Sequence, residues 1–113
     1  MILYIGFSLT SHKLHAHILC RTYKHCAPVI VIHNKAIIYQ FINPKSIVPI
    51  QIRKQDLERL KSFGWIFIKY KSNILQRDIL KIHAMTCVQF TKQVCHIKNI
   101  YIQTPDALLR YLK

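Results

Sequence analysis

The chain has 113 residues, room for one domain (1–113) and not for two, and at 51% hydrophobic it can bury a core. Seventeen Lys and Arg against four Asp and Glu give a net charge of +13, which suits polyanionic partners such as nucleic acid or an anionic polymer. The charged share of 19% and the abundant isoleucine exclude a disordered chain, and no apolar run reaches the ~20 residues of a membrane span.

In chain order, "ILYIGFSL" reads as a buried first strand; it lacks the basic flank and small-residue cleavage site of a secretory signal. Ser11 can cap a short helix through "HKLHAHILC", with Leu14, His17, Ile18 and Arg21 at helical spacing. "PVIVI" is a β-branched strand, "HNK" a turn in which Asn tolerates positive φ, and "AIIYQFI" the returning strand, so residues 28–42 form a hairpin. "NPKS" turns the chain into a third strand, "IVPIQI", which Pro49 marks as an edge. "RKQDLERLKSFG" has helical periodicity with Gly64 past its end, and "WIFIKYK" alternates as a strand does. "NILQRDILKI" fits a helix or a strand and turn. A helix starting at Cys87 and running to about His96 follows, then an extended link, "KNIYIQ". The closing "TPDALLRYLK" has Thr104 as N-cap, Pro105 at the first helical position and Asp106 at the positive end of the dipole. The sum is α+β: an antiparallel sheet of four to six strands packed by helices.

The four cysteines, Cys20, Cys26, Cys87 and Cys95, form no CxxC, and the histidines among them lack a zinc-ligand spacing. Free thiols, no metal and no cofactor are therefore expected. Cys87 follows Thr86, a good N-cap, so its sulfur sits where the helix dipole favours a thiolate. The same residue continues a buried stripe through Val88, Thr91, Val94 and Cys95, as a small core hydrophobe would. Both readings stand at this point. A thiolate nucleophile needs a proton partner. His25, next to a strand that can fix its ring, is the first candidate and His83 the second; His33 falls in a turn and His96 at the far end of the helix.

The order of these pieces resembles a known scaffold. A strand, a short helix with "ILCRTYKH", a His-bearing hairpin, a helix, a strand and then Thr-Cys-Val-x-Phe at a helix start are similar to the permuted branch of the papain-like cysteine hydrolases, the NlpC-type superfamily, in which the histidine strand precedes the cysteine helix. "TPDALLRYL" looks like the tail of small bacterial and phage members, and the resemblance runs from Ile18 onward, strongest over residues 86–112. It implies a permuted papain-like domain with Cys87 as nucleophile and His25 as general base. A third polar residue on the strand after the histidine orients the ring: Gln40 is the choice and Asn43 the runner-up. The implied substrate is a peptide or acyl compound, cell-wall peptide included, in a cytoplasmic or phage-associated setting. The rival class is a small basic module that binds nucleic acid or an acidic partner, with the aromatics of "WIFIKYK" as a stacking platform. The basic residues are scattered, so nucleic acid is not the favoured partner.

Overall fold

The computed structural model describes residues 2–9 and 25–113; the expected helix over 12–20, with Ser11 and Cys20, lies outside the described residues. Five strands form one antiparallel sheet: β1 (Ile2–Ser8), β2 (His25–Ile32), β3 (Lys35–Asn43), β4 (Ser46–Arg53) and β5 (Ile66–Tyr70), in the order β4-β3-β2-β1-β5. Four helices accompany it: α1 (Asp56–Ser62), α2 (Gln76–Ile79), α3 (Cys87–Val94) and α4 (Pro105–Leu112). Among the described residues, no helix is long and apolar enough to cross a membrane.

Strand alternation distributes the side chains between two cores. Leu3, Ile5 and Phe7 of β1, Cys26 and Ile30 of β2, and Tyr39 and Phe41 of β3 pack with Val88, Phe90 and Val94 of α3 and Leu108 of α4. On the other face, Ala27, Val29, Val31, Ala36 and Ile38 pack with Leu57 of α1. Gly6 is needed there, because a Cβ would lie 3.0 Å from both the Phe67 and Trp65 rings, which stack over it with centroids 5.8 Å apart.

The local signals account for most boundaries. The β2–β3 loop is two residues, His33 and Asn34, between the paired Ile32 and Lys35. His33, not Asn34, takes the left-handed conformation, at φ 55°. Pro49 sits on β4, an edge strand, as its missing N–H requires. The helix expected from Arg53 starts only at Asp56, because Arg53 completes β4 and its backbone N–H donates to the Asp56 carboxylate at 3.2 Å. α1 ends in a paired-bond motif: Trp65 N–H reaches Leu60 O at 3.1 Å and Gly64 N–H reaches Lys61 O at 3.1 Å, with Gly64 at φ 95°. α3 ends the same way through Ile97 N–H to Lys92 O and His96 N–H to Gln93 O, with His96 in glycine's place at φ 57°.

Two expected elements differ. "NILQRDILKI" contributes only the four-residue α2, with Leu75 extended at its start. "KNIYIQ" is not an extended link. It turns at Ile100–Tyr101, with Ile102 N–H donating to Asn99 O, because the buried Lys92 ammonium draws in the Asn99 and Ile102 carbonyls at 2.5 and 3.0 Å.

Candidate functional site

α3 begins at a well-formed cap. Thr86 Oγ1 accepts from Gln89 N–H at 3.1 Å, while Gln89 Oε1 reaches back to Met85 N–H at 2.9 Å, a reciprocal arrangement that needs Thr and Gln three residues apart. Cys87 is therefore fixed in the first turn, half-buried, with its sulfur near the positive end of the helix dipole. α3 packs on β2 and β3, and this brings the helix start to the beginning of β2.

The sheet is open at that point. β2 pairs with β1 along its length, from Ser8↔His25 to Ile2↔Val31, but with β3 only from Val29↔Ile38 to Ile32↔Lys35. Pro28, the residue where the β3 pairing stops, has no N–H to offer a ladder. The register of β2 with β3 thus runs over Val29–Ile32 and not over residues 26–28. Three groups of the site gather at this opening. The Cys26 thiol lies 4.0 Å from Cys87, sulfur to sulfur. The Cys26 backbone N–H and the His25 side chain also hydrogen-bond to the Cys87 sulfur. His25 Nε2 and Gln40 Oε1 are 2.5 Å apart. Since the amide oxygen can only accept, Nε2 carries a hydrogen, and the ring's contact with the sulfur falls to Nδ1.

The electrostatics follow from these contacts. The Cys87 thiol is lowered to about 4, first by the Cys26 thiol that donates to it, then by the His25 hydrogen bond and charge and the Cys26 N–H, against the opposing effect of burial. Cys26 moves the other way: complete burial and the neighbouring Cys87 raise its pKa well above the usual range, so it keeps its proton. Thr91, also buried, donates from Oγ1 to Cys87 O at 2.8 Å and has its oxygen 3.6 Å from the Cys26 sulfur, which fixes both neighbours. Cys95 caps the C-terminal end of the same helix, and burial alone pushes it up to about 12, so it stays an inert thiol.

Of the residues named from sequence, Cys87, His25 and Gln40 come together. Asn43 does not: it is exposed and its Oδ1 accepts from Lys45 N–H in the β3–β4 turn. His83 is exposed, and its carbonyl accepts from Gln93 Nε2. His33 is exposed on the hairpin turn, and His96 ends α3 through its backbone. Cys26 and Thr91 were not foreseen as part of the site. The signal for Cys26 was "HCAP": it is the residue after the histidine, and alternation turns it to the α3 face. Of the aromatics of "WIFIKYK", Trp65 and Phe67 stack on the α1 face while Tyr70 packs on the α3 face, so the three do not share one platform. No cluster of three or more metal-ligating side chains occurs among the described residues.

Comparison with protein-family models, with curated proteins and with solved structures returned no match for this chain.

Proposed function

We propose that the protein is a thiol hydrolase with a permuted papain-like domain, cleaving an amide or ester by acyl transfer. One observation carries the reading: a half-buried cysteine in the first turn of a helix, with its pKa lowered to about 4, hydrogen-bonds a histidine that Gln40 holds from its other side.

In this mechanism the Cys87 thiolate attacks the substrate carbonyl carbon, and the electron pair of the C=O bond moves to oxygen. The Cys87 N–H is one of the first-turn donors that no intrahelical carbonyl can satisfy, which suits it to the developing oxyanion. As the tetrahedral adduct collapses, the C–N or C–O bond breaks and the His25 imidazolium passes its proton to the leaving group. Neutral His25 then takes a proton from water, whose oxygen attacks the thioester. The carboxylic acid product leaves and Cys87 returns as thiolate. Gln40 acts as a positioning residue, accepting from Nε2–H in every step so that the other ring nitrogen always faces the reaction.

The substrate class on this reading is a peptide or another acyl compound, and an anionic wall polymer carrying peptide would match the +13 charge. A thiol-directed acylating probe tests the proposal. It should label Cys87 and no other cysteine, and Cys87→Ser and His25→Ala should each abolish labelling with the circular dichroism spectrum unchanged. Equal labelling in His25→Ala would overturn it. A binding module would instead hold nucleic acid with an affinity that falls steeply with salt.

A further inference from the structure

We infer that Cys26 and Cys87 are an oxidisable pair, in which Cys26 closes a disulfide on an oxidised Cys87 and so shields it from irreversible loss. The inference rests on the reading of Cys87 as the reactive thiol.

The geometry supplies the argument. The two sulfurs are 4.0 Å apart, in direct thiol-to-sulfur contact, and a disulfide needs about 2.05 Å, so closure asks for an approach of about 2 Å. Cys87 heads α3 and is half-buried, so part of it faces solvent. Cys26 is completely buried in β2, with Thr91 Oγ1 against its sulfur. An oxidant in solution therefore meets Cys87 first, and Cys26 is reached only through Cys87. This is the division of labour between an attacking thiolate and a resolving thiol.

The chemistry balances with hydrogen peroxide as the oxidant. The Cys87 thiolate attacks one peroxide oxygen, the O–O bond breaks, and hydroxide leaves, giving the sulfenic acid. The hydroxide released in that step takes the Cys26 proton to become water, and the Cys26 thiolate attacks the Cys87 sulfur. The S–S bond forms, the S–O bond breaks, and a second hydroxide leaves. One thiolate and one thiol lose two electrons in total, and one peroxide becomes one water and one hydroxide. A small thiol reductant reverses the reaction by exchange at the more accessible sulfur, Cys87.

The sequence makes the test clean, because Lys and Arg positions put each cysteine on its own tryptic peptide: Cys20 on 14–21, Cys26 on 25–35, Cys87 on 82–92 and Cys95 on 93–98. Reduced full-length protein is treated with hydrogen peroxide, blocked with iodoacetamide and digested without reductant. The expected product is peptide 25–35 joined to 82–92, with loss of Cys87 alkylation that dithiothreitol restores. In Cys26→Ala and Cys26→Ser, the same treatment should leave sulfinic acid on Cys87 that dithiothreitol does not restore. Sulfinic acid at Cys87 of the unaltered protein, with Cys26 still free, overturns the inference and leaves the hydrolase reading intact. A link from Cys87 to Cys20 instead also overturns it. A Cys87 that neither peroxide nor iodoacetamide modifies overturns both readings together.

Discussion

The ionisation of Cys87 can be read from the pH dependence of its alkylation. An ordinary thiol has a pKa of about 8.5, so at about pH 6 only ~0.3% is thiolate. Cys87, lowered to about 4, is almost entirely thiolate there. The gain in reactive species is thus ~300-fold. Intrinsic nucleophilicity falls with basicity, however. A Brønsted coefficient of about 0.45 over ~4.5 pKa units costs about 100-fold. The two effects nearly cancel, so the absolute rate at one pH says little and the shape of the profile decides. Between about pH 6 and about pH 8 an ordinary thiol should speed up ~100-fold while Cys87 stays level. The assay is iodoacetamide incorporation into peptide 82–92, followed by mass spectrometry, with peptide 93–98 as the control because Cys95 is pushed up to about 12. Cys26→Ala should move the inflection upward furthest and His25→Ala next, following the order in which they hold the thiolate. A tenfold rise per pH unit in the unaltered protein would make Cys87 an ordinary core thiol, with no perturbed ionisation.

Three further outcomes are expected. Gln40→Leu removes the acceptor for His25 Nε2 and should slow probe labelling about tenfold, the equivalent of one hydrogen bond of ~1.4 kcal/mol, with Gln40→Glu restoring it and the melting temperature little changed. Thr86→Ala deletes the cap of α3 and should cost about 1 kcal/mol, read as a fall of about 4–6 °C in calorimetry. His96→Gly relieves a left-handed residue at the end of α3 and should raise stability by about 0.5–1 kcal/mol in urea titration.

What could be read in advance was what is local. Alternation in "ILYIGFSL", "PVIVI" and "AIIYQFI" set which residues face a core, and the short loop at His33–Asn34 set the hairpin. Thr86 and Thr104 marked two helix starts because capping is a matter of three or four consecutive residues. That a strand polar residue meets His25 came from the family resemblance, with Gln40 ahead of Asn43, and two strands joined by a short turn bring Gln40 to the ring. The missing parts depend on contacts between distant segments. Pro28 could be seen in the sequence, but that it stops pairing on the β3 side alone depends on β2 being flanked by both β1 and β3. Cys26 enters the site only because α3 lies on the face to which it points. The turn at Ile100 is set by an ammonium eight residues earlier, and no property of "KNIYIQ" itself encodes it.

That ammonium has a mechanical consequence. Lys92 lies in α3, five residues beyond Cys87, and its ammonium donates to two backbone carbonyls of the segment that leads into α4. Were that segment to detach, a charged group would remain in an apolar layer with no acceptor, a state costing several kcal/mol. The last stretch of the chain and the helix of Cys87 therefore open and close as a single cooperative unit. Amide hydrogens at Ile97 and Ile102 should exchange at the same slow rate as those in the middle of α3, and a chain cut before Asn99 should fail to fold around the thiol rather than merely lose its tail.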